Sequence, residues 1–74
     1  MEFFHTKDLH KLEGTEFTIS FIKKNGELVT VHNATMTSFY SLGLTMKIKF
    51  PGYGHPITLR RSQVTAINNK ELIV

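Results

Sequence analysis

The chain holds no cysteine, a single aspartate, and no apolar run near the roughly 18 residues a membrane-spanning helix needs. Without thiols there is no disulfide framework, no thiolate metal site and no cysteine nucleophile, so stability must come from packing. Alanine, the best helix former, occurs twice, against nine Thr, six Ile and four Val. That bias towards β-branched residues describes a β chain. Met1-Glu2-Phe3-Phe4-His5 lacks the basic-then-apolar signature of a secretory signal, so a cytoplasmic protein with no membrane partner is expected.

The same scarcity argues against chemistry. Asp8 is the only aspartate and falls inside the one stretch with helical character, and no turn presents a nucleophile beside it. His5 and His10 lie five apart, about 140° round a helix, and His32 and His55 fall on separate elements with no neighbouring acid. Gly52-Tyr53-Gly54 is a lone Gly-x-Gly between prolines, which is a turn needing a permissive backbone rather than a phosphate loop. No enzyme, no metal and no cofactor is expected.

What is present is ordinary globular composition, 41% apolar and 20% charged, on 74 residues. That length allows one domain, 1–74, burying only about 60% of the surface its unfolded form exposes. A short helix is expected over about 6–13, with Thr6 as cap, Leu9 and Leu12 on one face and Gly14 as terminator. Strands are expected over about 15–24, 28–40, 42–50, 56–61 and 64–67.

Register can be read in both hairpins. A two-residue Asn25-Gly26 loop would put Val29 and Val31 on the face opposite Phe17, Ile19 and Phe21. A three-residue Lys24-Asn25-Gly26 loop with Gly26 left-handed instead pairs Phe21 with Val29 and Ile19 with Val31, and sets Lys23 against Glu27 as an ion pair. Alternation in the next strand breaks at His32-Asn33, where a bulge would return Ala34 and Met36 to the apolar face. In the second hairpin, pairing Phe50 with Ile57 and Ile48 with Leu59 aligns the apolar faces and sets Lys47 opposite Arg60. Arg61-Ser62-Gln63 reads as a tight turn, Asn68-Asn69-Lys70 as the last turn, and Leu72-Ile73-Val74 as a closing strand or edge.

A helix and about five short bent antiparallel strands fit an all-β, small five-stranded bent barrel with a short N-terminal α-helix. A split sheet with the helix on one face is the alternative.

Charge is segregated. From Leu28 to Lys70 there is no acid, while Lys47, Lys49, Arg60, Arg61 and Lys70 are all cationic. Lysines on an exposed strand also guard against edge-to-edge aggregation. A like-charge cluster at Lys47, Lys49 and Arg60, however, is relieved by an overlying anion, and phosphate is the commonest one. Phe39-Tyr40 and Tyr53 lie on the same half of the chain. Cations tracking phosphates beside rings that stack bases are the means of single-strand recognition.

Two segments resemble the Sm-like family. Ile19-Ser20-Phe21-Ile22-Lys23-Lys24-Asn25-Gly26 is similar to its strand and Asn-Gly hairpin, and Met36 to Leu42 falls where the family has Phe-Asp-x-x-Met-Asn-Leu. Leu59-Arg60-Arg61-Ser62-Gln63-Val64-Thr65-Ala66-Ile67 looks like its Ile-Arg-Gly-x-x-Val-x-x-Ile. The resemblance implies a bent five-stranded barrel assembling into rings through edge strands, with Tyr40 and Ser41 at a nucleotide pocket and Arg60 as the base-contacting arginine. The chain departs from the pattern at Thr37, Ser41 and Arg61, where the family has Asp, Asn and Gly.

The expected function is therefore binding of single-stranded RNA or DNA through Lys47, Lys49, Arg60, Arg61, Tyr40, Ser41 and Tyr53, with homo-oligomerisation compatible. The alternative is a protein-interaction or assembly module, such as a viral or mobile-element accessory protein, docking on an acidic partner or adding a strand at an open edge.

Overall fold

In the N-terminal stretch, Thr6, Leu9 and Leu12 recur every three residues, which suits a 3-10 helix of three residues per turn better than an α-helix. The computed structural model of the chain, which describes residues 2–40, 42 and 44–73, has a 3-10 helix at Thr6–Leu12. Leu9 and Leu12 are both buried, so the helix serves to carry them into the core. The α-helix expectation is corrected accordingly, and so is the cap. His5 takes the cap position, its Nδ1 accepting from Lys7 N–H at 3.4 Å, while the Thr6 hydroxyl donates to the Ile73 carbonyl. Gly14, at φ +82°, ends the segment as expected, its N–H donating to Met36 O at 2.8 Å.

Seven strands follow the chain: β1 Phe3–His5, β2 Glu16–Ile22, β3 Leu28–Tyr40, β4 Thr45–Lys49, β5 Ile57–Arg60, β6 Val64–Ile67 and β7 Lys70–Ile73. They form one sheet in the order β1-β7-β6-β2-β3-β4-β5. The fold is all-β, but the five-stranded barrel is not formed. The five expected strands lie consecutively as β6-β2-β3-β4-β5, and the ladder does not close, because β5 and β6 are joined by a three-residue 3-10 turn, Arg61–Gln63, without pairing. The terminal segments add two strands on the other side. Phe3–His5 pairs in parallel with β7, so β7 is an inner strand and β1 the edge.

The first hairpin has the expected register, Phe21 with Val29 and Ile19 with Val31. Gly26 sits at φ +88°, and the Lys23 and Glu27 backbones close the loop at 2.9 Å. The expected bulge is also present. Phe17 pairs Ala34 but Ile19 pairs Val31, Asn33 has φ +59°, and Ala34 and Met36 return to the buried face. A second bulge at Thr37, between Met36↔Ile48 and Ser38↔Lys47, bends β3 again where it passes from β2 to β4. The Phe39 N–H in this region donates to a Glu13 carboxylate oxygen at 3.1 Å.

The second hairpin differs from expectation by two residues. Ile48 pairs Ile57, Met46 pairs Leu59, Lys47 faces Thr58, and Thr45 faces Arg60. Phe50 does not join the ladder. It turns inward, buried, with its ring stacked on Phe21 at 5.6 Å and Tyr53 edge-on at 5.8 Å. Fully burying an aromatic side chain is worth about 2–3 kcal/mol, and the ladder still holds four pairs, with Thr45 and Met46 taking the places of Lys49 and Phe50.

The last turn is tighter than expected. Asn68 and Asn69, both at positive φ, form a two-residue loop that joins Ile67 to Lys70. Asn68 is pinned to β2 through the Thr18 backbone, donating from its N–H at 2.7 Å and accepting on Oδ1 at 2.9 Å. The core gathers Leu9, Ile19, Met36, Met46, Ile48 and Ile67, and no polar or charged residue among the described ones is buried with them.

Candidate nucleic-acid interface

Alternation along β3, β4 and β5 sends Met46, Ile48 and Leu59 inward, so their neighbours form the outer face. Cross-strand pairing arranges that face in rows. Tyr40, Thr45 and Arg60 form the first, Ser38, Lys47 and Thr58 the second, and Thr35 and Lys49 the third. Lys47, Lys49 and Arg60 are exposed, and Tyr40 is 48% exposed.

The direct opposition of Lys47 and Arg60 is thereby corrected. They are diagonal neighbours, a spacing of about 7–8 Å between backbone positions, and each cation faces a hydroxyl. A slip of two residues preserves facing, because side chains alternate with period two, so the cations stay on one side although their repulsion is relaxed. Cations alternating with Ser and Thr hydroxyls offer an anion both charge and neutral donors.

Among the described residues the ion pairs are Lys11 with Asp8 at 3.3 Å and Lys70 with Glu2 at 3.5 Å. Lys70 is thus neutralised by the N-terminal segment, whereas Lys47, Lys49, Arg60 and Arg61 form no ion pair with any described carboxylate. Two acids border this face on the side away from β4: Glu16, paired with Thr35 one strand beyond Lys49, and Glu13, whose carboxylate accepts from the Phe39 N–H at 3.1 Å.

The other expected residues divide. Arg61 lies half-buried in the 3-10 turn, its N–H donating to Leu44 O at 2.8 Å and its Nε buried without a protein acceptor. Tyr53 is 56% exposed in the loop after β4, where it shares a shallow depression with Lys49 and Glu16. Ser41 lies outside the described residues.

Sequence reasoning misses two lysines. Lys23 and Lys24 converge with Arg60, Thr45 and Thr58 on a depression of about 640 Å³. This adjoins a groove of about 590 Å³ floored by Phe21, Val29, Val31 and Phe50 and flanked by Tyr53 and Ile57. The Lys-Lys pair beside the Asn-Gly turn is the available signal, but the expected ion pair assigns Lys23 to Glu27. The two meet only through their backbones, and that ion pair does not form.

No grouping of His, Asp and Glu suited to a metal ion occurs among the described residues, and no described helix is long and apolar enough to cross a membrane. Compared with protein-family models, with curated proteins and with solved structures, the chain matches none.

Proposed function

We propose that the protein binds single-stranded nucleic acid, RNA or DNA, on the outer face of β3, β4 and β5, without catalysing a reaction. The observation that carries this reading is the set of cations Lys47, Lys49 and Arg60, unpaired among the described residues and alternating with hydroxyls on a face that has no acid of its own. Phosphates take the cations and hydroxyls, and Tyr40 offers an exposed ring at the end of the row that holds Arg60. The Sm-like resemblance supports the same pair, since it implies a nucleotide pocket served by Tyr40 and Arg60. Ring assembly, also implied by that resemblance, has only β1 and β5 as free edges among the described strands, three and four residues long, because β6 lies between β2 and β7.

A polarisation titration with mixed-sequence single-stranded oligonucleotides over a salt series tests the reading. The logarithm of the association constant should fall linearly with that of salt, with a slope of about −0.7 per phosphate neutralised. No binding at low salt removes it. The double charge reversal Lys47→Glu with Arg60→Glu should lower affinity by about 100-fold or more at low salt. A protein partner that copurifies with the chain and survives that reversal would favour an assembly module instead.

A further inference from the structure

We infer that the groove between the first hairpin and β5 is a base pocket, seating one base of the bound strand while Lys23, Lys24 and Arg60 hold the adjoining phosphates. This rests on the nucleic-acid reading and extends it past β5 to a groove that shares only Thr58 with the rows of the outer face.

The groove exists because the sheet stays open. β5 has β4 as its single neighbour, and across the gap stand Phe21, Val29 and Val31 from the first hairpin. Gln63 spans the gap, accepting from Arg60 N–H at 3.0 Å and donating to Ile22 O at 3.3 Å, so both ends of its side-chain amide are engaged by backbone. One ring at the groove is free to stack. Phe21 and Phe50 are buried against each other, ring centroids 5.6 Å apart, whereas Tyr53, edge-on to Phe50 at 88°, is more than half exposed and can lie along a base. Thr30, Thr58 and His32 supply polar atoms on the lining, the pattern of an apolar site with a few orienting groups.

Charge chooses among planar occupants. The groove and the cationic depression share Lys23, Lys24, Thr58 and Gln63, so a ligand seated in one touches the walls of the other. Glu27 belongs to the same turn, yet its carboxylate forms no ion pair with either lysine. A flat ring carrying an anion at its side fits this combination, and a nucleotide unit is that chemistry. An acidic peptide satisfies the cations but leaves the exposed Tyr53 ring unused. Arg60 serves both surfaces, at the end of its outer row and on the wall of the depression, so a strand can pass from one to the other over β5.

The test compares a mixed-sequence single-stranded hexanucleotide with an abasic strand of equal length and charge, followed by NMR. The intact strand should move the Val29, Val31 and Ile57 methyls and the Tyr53 ring together with Lys47 and Arg60, and should bind roughly tenfold tighter than the abasic one. Tyr53→Ala should narrow that difference, with a native-like spectrum showing that the fold persists. Lys24→Glu, on the exposed turn, should weaken both strands. If only outer-face signals move, the pocket is overturned while the nucleic-acid reading stands. If neither strand moves any signal, both fall. An oligoglutamate of matched charge that moves the groove methyls as strongly also overturns the pocket, since charge alone would then recruit the ligand.

Discussion

The two hairpins of this sheet are built by different forces. β2 and β3 are joined by a loop whose shape is local. Gly26 takes the left-handed conformation, the Asn25 side chain accepts from Glu27 N–H at 2.9 Å, and the strands leave it in one register. β4 and β5 are joined by seven residues with a proline near each end, and nothing in that loop selects a register by itself. There the choice belongs to Phe50, which leaves the ladder to lie on Phe21, a residue of the other hairpin. One hairpin is thus positioned by turn chemistry and the other by a contact between hairpins. The arrangement of the candidate site follows from the second, because Phe50 decides which residue Lys47 and Arg60 each face.

Removing that contact should separate the hairpins most sharply. Phe50→Ala deletes the ring that Phe21 and Tyr53 both touch, and should cost about 3–4 kcal/mol. For a domain of this length that is a large part of the total stability. Urea unfolding measures it as a drop in midpoint with little change in slope. A loss below about 1 kcal/mol would mean that the β4–β5 register has another cause.

The same distinction explains what was legible in the sequence. Alternation of Phe17, Ile19 and Phe21 against Val29 and Val31, together with Asn-Gly chemistry, determines the first hairpin and the bulge at His32-Asn33, since each cue acts within a few residues. The β4–β5 register was not legible, because two registers differing by two residues bury the same alternating set and differ only in the fate of Phe50. β1 was equally hidden. Phe3–His5 has no strand-length pattern and becomes a strand only because β7 lies alongside it. Of the site, Lys47, Lys49, Arg60 and Tyr40 do share one face, since a slip by an even number leaves facing unchanged. Lys23 and Lys24 join Arg60 only through the curl of the sheet.

A smaller effect tests the local half of the comparison. An added Cβ at Gly26 meets open space, so Gly26→Ala carries only the cost of a left-handed non-glycine residue, about 1–2 kcal/mol. Because that cost lies in the turn, amide signals of β2 and β3 should shift while those of β4 and β5 stay in place. Shifts spreading equally into the second hairpin would show that the two are not positioned independently.

The smallest effect is expected at Glu27. Its backbone closes the loop with Lys23, but its carboxylate pairs with no described lysine or arginine, so Glu27→Gln removes a solvated charge and no ion pair. Stability should change by less than about 0.5 kcal/mol, and the change should be the same at low and high salt. A loss of about 1 kcal/mol that disappears in high salt would mean that the side chains pair in solution and share with Gly26 the task of holding the turn. The substitution also removes the acid nearest in sequence to Lys23 and Lys24, so at low salt the affinity for a single strand should rise modestly if those lysines contact it. Oligonucleotide affinity that is the same in Glu27→Gln and in the unsubstituted chain at low salt would place the strand away from this turn and leave the first hairpin a purely structural element.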